Sequence, residues 1–81
     1  MFKNKAENSK NNICGRNVYE LRKNRVPKMS QRALAELLQL NGMDVDKNAV
    51  QRIESGQRFV TDIEILALCK VVNVSFEELL K

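Results

Sequence analysis

The 81-residue sequence predicts an all-α fold, a compact bundle of five short helices. Three observations lead there. Apolar residues recur at helical spacing along most of the chain, and no segment alternates convincingly as a strand. Ser, Asp and Thr stand where helix N-caps belong, and Gly stands where helices must stop. Leu, Ala, Glu, Lys, Arg and Gln dominate, with one proline and only 5% aromatic residues.

Residues 1–12 are rich in Asn, Lys and Ser and carry little that fills a core, so they read as a flexible N-terminal arm ahead of a domain spanning residues 13–81. Lys3, Lys5 and Lys10 belong to a solvated leader on the simpler reading, with phosphate contact as the alternative. From about Ile13 the pattern is helical: Cys14, Val18 and Leu21 share a face, and Arg22, Lys23 and Arg25 crowd the end, where cations suit the helix dipole. Pro27 stops this first helix by about Arg25. Ser30 caps the second helix, whose apolar stripe is Leu34, Leu37 and Leu38. The methyl of Ala35 lets a crossing helix come close, and Gly42 suits a left-handed close to the helix after Asn41.

Asp46 caps a third helix over residues 47–55, which Gly56 terminates. Thr61 and Glu64 make a capping box for a fourth helix running to about Val72. That helix is apolar on nearly every side, which predicts that it is the central buried one. Ser75 and Glu78 repeat the box before a short fifth helix ending near Leu80. Cys69 falls in an apolar run and reads as a small, inert core residue. Met29, Met43 and Phe59 read as packing residues.

Composition excludes several function classes. A chain this short forms one domain with a small core and leaves no room for a second domain. It has no apolar run near the roughly 20 residues a membrane span needs and no apolar stretch behind its basic start, which predicts a cytoplasmic protein. Two cysteines and no histidine give no metal-ligand pattern. Without paired carboxylates in a plausible cleft or a Gly-rich phosphate loop, nothing points to an enzyme, a cofactor or a small-molecule ligand. The net charge of +4 is unevenly spread: residues 1–58 hold 12 Lys and Arg against 6 Asp and Glu, whereas residues 59–81 hold 2 against 4. A basic front and a mildly acidic tail suit a protein that presents one side to a polyanion.

The third helix divides its residues by angle. Counted at 100° per residue, Ala49, Val50 and Ile53 fall on one arc, and Lys47, Asn48, Gln51, Arg52 and Ser55 on the other. The polar arc carries two cations and two amides and no acid. Guanidinium and amide groups are the side chains that hydrogen-bond base edges in a major groove. The pattern points to a helix that reads DNA.

Several runs together then resemble one family: Leu21-Arg22-Lys23-Asn24-Arg25; Met29-Ser30-Gln31 with Leu34-Ala35-Glu36-Leu37-Leu38; Val50-Gln51-Arg52-Ile53-Glu54-Ser55-Gly56; and Asn73-Val74-Ser75-Phe76-Glu77-Glu78-Leu79-Leu80. In this order they look like the Cro and lambda-repressor type of helix-turn-helix domain, the XRE family, over about residues 13–80. The resemblance implies a lambda-repressor-like fold in which the second and third helices form the helix-turn-helix. It implies a double-stranded DNA partner and a homodimer. Carried over by position, Lys47, Asn48, Gln51 and Arg52 contact bases, and Gln31, Ser55, Gln57 and Arg58 contact phosphates. Arg22 and Glu54 correspond to a structural ion pair between the first and third helices.

The family usually leaves the second helix by a tight turn of the form Leu-Gly-Val-Ser. Here Gln39-Leu40-Asn41-Gly42-Met43 intervene before Asp44-Val45-Asp46, a lengthened turn that costs little in closure entropy. A smaller insertion lies near Val26-Pro27-Lys28. The expectation is a sequence-specific transcriptional regulator, a repressor on an inverted-repeat operator. The alternative is a protein-interaction module, antitoxin-like or partner-binding, that keeps the fold and uses the end around Phe76, Glu77, Glu78, Leu79 and Leu80.

Overall fold

A computed structural model describes residues 10–25 and 27–81. Five helices follow in order: α1 Gly15–Lys23, α2 Gln31–Leu40, α3 Lys47–Ser55, α4 Asp62–Val72 and α5 Phe76–Leu79, with no strand among the described residues. The proposed arm falls mostly on residues 1–9, outside the described residues. Residues 10–12, which the sequence groups with it, are hydrogen-bonded to the domain, as detailed below.

The caps account for the element boundaries. Ser30 accepts the Ala33 N–H at 3.0 Å, Asp46 accepts the Ala49 N–H at 2.8 Å, and Thr61 and Glu64 make both bonds of a capping box. Each satisfies donors that the first helical turn leaves open. At α5 only half of the expected box is present: Ser75 accepts the Glu78 N–H at 3.2 Å, without the reciprocal bond. Gly42 and Gly56 both sit at φ +85°, the left-handed region, and close α2 and α3. Helix α1 ends at Lys23, two residues short of Arg25, with Arg22 and Lys23 in its last turn.

Helix α3 packs between α1 and α2, and α4 lies against α1, α2 and α5. Val18, Leu34, Leu38, Val50, Ile53, Leu68 and Leu79 are fully buried and supply the core, which Cys14 joins from the start of α1. Ala35 and Ala49 are buried on facing helices, where small side chains let α2 and α3 cross closely. At the entry to α1 the approach is closer still. A Cβ on Gly15 would lie 2.0 Å from the Ile53 carbonyl oxygen, so glycine is what lets α1 start against α3.

Helix α4 departs from the sequence expectation. It is not the central buried helix: only Ala67, Leu68 and Val72 are buried, and Ile63 and Leu66 are 75% and 47% exposed. Its packing partners cover one side, and periodicity cannot show that, among the described residues, the other apolar side meets no further element. Cys69 is half-buried for the same reason, while Cys14 is the inert core thiol, its pKa pushed up to about 11 by burial. Phe59 is likewise exposed, whereas Met43 is buried.

The lengthened turn is ordered by specific bonds. Gln39 and Leu40 prolong α2, so part of the insertion becomes helix. Residues 41–46 follow, with Met43 and Val45 buried, the Met43 N–H on the Leu38 carbonyl at 3.0 Å, and the Gln39 side-chain amide on the Val45 carbonyl at 2.7 Å. Two apolar anchors and a side-chain clamp hold the turn against the core, so its extra length does not loosen the start of α3.

Gly15→Ala is expected to lower stability by about 1–3 kcal/mol, the usual cost of forcing an atom into a packed site. Urea denaturation of the variant checks this, and unchanged stability would mean that α1 can withdraw from the Ile53 carbonyl without loss.

Candidate nucleic-acid interface

Helix α3 is held from beneath by Ala49, Val50 and Ile53, which leaves the opposite face in solvent. Lys47, Asn48, Gln51 and Arg52 are all exposed, and among the described residues none of their side chains makes a hydrogen bond or ion pair. The other arginines give the contrast. Arg16 pairs with Glu20, Arg32 with Glu36, Arg22 with Glu54 and Arg58 with Glu64, and Arg25 donates to the Val71 carbonyl. Arg52 is therefore the one arginine whose guanidinium has no partner among the described residues. Its donors are ready for an external acceptor without breaking an internal bond.

The residues that the family resemblance leads us to expect at phosphates are placed around this helix in different ways. Gln31, half-buried in the first turn of α2, donates an amide N–H to Glu54 at 3.0 Å, which leaves its second N–H for another acceptor. Ser55 turns its hydroxyl onto the Arg52 carbonyl at 3.2 Å. Gln57 is exposed, and its backbone N–H also caps the Arg52 carbonyl, at 2.8 Å. Arg58 is more committed than its loop position suggests. It makes a two-pronged pair with Glu64, both bonds 3.1 Å, and a bond to the Phe59 carbonyl. Burial pushes the Glu64 carboxyl up, but its bonds to Arg58 and Thr61 together outweigh that and hold it below its ordinary value. Arg58 and Arg52 border one shallow hollow of about 390 Å³, so the two residues lie on the same side of the domain.

Arg22 and Glu54 lie beneath the interface. Arg22 Nε and Nη2 reach the two carboxylate oxygens at 2.7 and 2.9 Å, with the side chains only 8% and 5% exposed. Arg22 also donates to the Met29 carbonyl at 2.9 Å. With Gln31 on the same carboxylate, the cluster ties together α1, the approach to α2, α2 itself and α3.

One group of residues escaped the sequence reading. Lys10 donates to the Ser55 carbonyl at 2.8 Å. The Asn11 backbone N–H donates to the Gly56 carbonyl and its side-chain amide to the Gln57 carbonyl, both at 2.7 Å. Asn12 donates to the carbonyls of Ile53 and Arg58 at 3.2 and 2.7 Å, and its own oxygen accepts the Gly15 N–H at 2.8 Å. The bond to the Gly15 N–H is local, since an Asn side chain readily bonds a backbone N–H a few residues on, although Cys14 and not Asn12 stands at the N-cap of α1. The bonds to α3 and its following loop are not, since their partners lie more than forty residues away.

A helix-turn-helix family model matches residues 18–79, most of the described chain. The chain belongs to the XRE-type helix-turn-helix family. It is similar to the restriction-modification controller protein C.AhdI from Aeromonas hydrophila, at 32% identity and TM-score 0.66 over 80% of this chain and 88% of that one. It is also similar to the P22 c2 repressor, solved in complex with a synthetic operator, at 26% identity and TM-score 0.68 over 85% and 94% of the two chains. No curated protein sequence matches. The helix-turn-helix assignment makes this chain a DNA-binding transcriptional regulator. Among the described residues, no helix of this XRE-type domain is long and apolar enough to cross a membrane.

Arg22→Leu is expected to cost this domain about 3–5 kcal/mol, because it leaves Glu54 charged and buried with Gln31 as its remaining partner. Adding Glu54→Leu should recover much of that loss. Chemical denaturation of the single and double variants checks both expectations.

Proposed function

We infer that this regulator reads a specific DNA sequence with α3 in the major groove, binds an inverted-repeat operator as a homodimer, and acts there as a repressor. The observation that carries the reading is the unpartnered polar face of α3. Lys47, Asn48, Gln51 and Arg52 stand in solvent over a buried apolar base, and Arg52 alone among the arginines has no partner among the described residues. Arginine and asparagine donate and accept in the pairs that guanine and adenine present in the major groove. Gln31, Ser55, Gln57 and Arg58 flank that face and supply phosphate contacts, with the basic residues adding salt-sensitive attraction.

Homodimerisation is supported by the side of α4 that the described residues leave uncovered. Ile63 and Leu66, one turn apart, are large apolar side chains in solvent, which a second copy would bury. The end of the chain offers less for a protein partner than the sequence alone suggests. Leu79 is fully buried and Leu80 half-buried, with the Asn17 amide on the Leu79 carbonyl at 2.8 Å, so of the residues from Phe76 to Leu80 only Phe76, Glu77 and Glu78 are exposed. Repression is supported by likeness to the P22 c2 repressor.

Random-sequence DNA selection at physiological salt tests the reading. It is expected to enrich two inverted half-sites about one helical turn apart. A single enriched half-site would remove the homodimer, and no enrichment would remove sequence reading altogether. On the selected duplex, Arg52→Ala should weaken specific binding by about 1–3 kcal/mol, the worth of a bidentate base contact, while leaving random DNA nearly untouched. Arg58→Ala should weaken both alike, as expected of a phosphate contact. Equal losses on both duplexes for Arg52→Ala would overturn its role as a reader.

A further inference from the structure

We propose that residues 10–12 form a strap that sets the orientation of the recognition helix, and that Asn12 is a positioning residue for sequence reading. The inference rests on α3 being the reader and adds what aims it.

The strap takes five carbonyl groups in a stretch of six residues. Ile53 and Arg58 receive the Asn12 amide, Ser55 receives the Lys10 ammonium, Gly56 the Asn11 backbone N–H, and Gln57 the Asn11 side chain. A helix C-terminus leaves its last carbonyls without helical partners, and they are usually satisfied by the next few residues or by water. Local closure is present here too, with the Gln57 and Arg58 N–H groups both on the Arg52 carbonyl. The Ile53 carbonyl is shared between the Gly56 N–H and Asn12, and those of Ser55, Gly56, Gln57 and Arg58 are met by residues 10–12.

Asn12 is the pivot because each atom of its amide is used in a different place. Its oxygen accepts the Gly15 N–H at the start of α1, and its nitrogen bridges the last turn of α3 and the loop at Arg58. Gly15 presses on the same Ile53 carbonyl that Asn12 grips. One planar side chain thereby fixes where α3 ends relative to where α1 begins. A rotation of α3 about its own axis would swing Arg52 away from a base edge, and would have to break these bonds. The strap also holds the backbone of Gln57 and Arg58, so base-reading and phosphate-contacting groups keep one register.

The test uses the full chain, the duplex enriched by selection and a random duplex. Asn12→Ser keeps an oxygen for the Gly15 N–H and removes both amide donors. Binding is measured at a temperature where each variant is shown by circular dichroism to be folded. The expected result is about a tenfold loss in preference for the selected over the random duplex, with the random affinity nearly unchanged. In an Arg52→Ala background the same substitution should cost less, because one of the side chains that the strap aims is gone and only Lys47, Asn48 and Gln51 remain. An unchanged preference in folded Asn12→Ser, or an undiminished loss in the Arg52→Ala background, would overturn the proposal and reduce Asn12 to a stabilising contact. Should Asn12→Ser fail to fold, Asn11→Ala removes only the bond to the Gln57 carbonyl. A smaller loss of preference supports the strap, and none overturns it. If Arg52→Ala itself leaves preference intact, the reading of α3 fails first, which separates the two conclusions.

Discussion

The Arg22–Glu54 pair is the constraint on which the rest of the domain depends. It joins α1 to α3 by two charge-assisted bonds in a nearly dry setting, and Glu54 accepts Gln31 from α2 on the same oxygen that takes Arg22 Nη2. Arg22 also holds the Met29 carbonyl just ahead of the Ser30 cap, so the connection containing Pro27 returns to a defined point. A buried ion pair adds little net stability over a well-packed apolar pair. What it supplies is directionality: greasy contacts let helices slide, whereas a forked guanidinium on a carboxylate tolerates one geometry. On the proposed reading, in which function depends on the angle of α3, that restriction is what the pair contributes.

The lengthened turn and the strap show the same logic at the two ends of α3. At its start, Met43 and Val45 are buried and Gln39 clamps the Val45 carbonyl before Asp46 caps the helix. At its end, Gly56 turns the chain and residues 10–12 bond the carbonyls of Ile53, Ser55, Gly56, Gln57 and Arg58. The helix is fixed at both ends and from below, and its outward side chains are left unconstrained. Rigid backbone with free side chains is the arrangement that reading a groove requires, because the cost of ordering is confined to a few rotamers.

Helix α4 illustrates how far apolar content reaches as a guide. Its composition reads as a core helix, yet two of its largest side chains lie in solvent. The capping box correctly marks where it begins. Only the arrangement of α1, α2 and α5 determines which side is covered.

Much of the fold is legible in the sequence because caps and stops act locally. Ser30, Asp46, Thr61, Gly42 and Gly56 set helix boundaries by bonds or dihedral preferences within a few residues, and the apolar arc of α3 follows from the helical period alone. The candidate reading face was legible for the same reason. The sequence by itself thus determined where the helices lie and which face of α3 is polar. Tertiary structure alone decided that Arg58 is paired with Glu64, that Gln31 joins the buried carboxylate, that Ile63 and Leu66 stay exposed, and that residues 10–12 grip α3. Each of those facts depends on the distance between groups far apart or differently placed along the chain, and that distance exists only once the helices have packed.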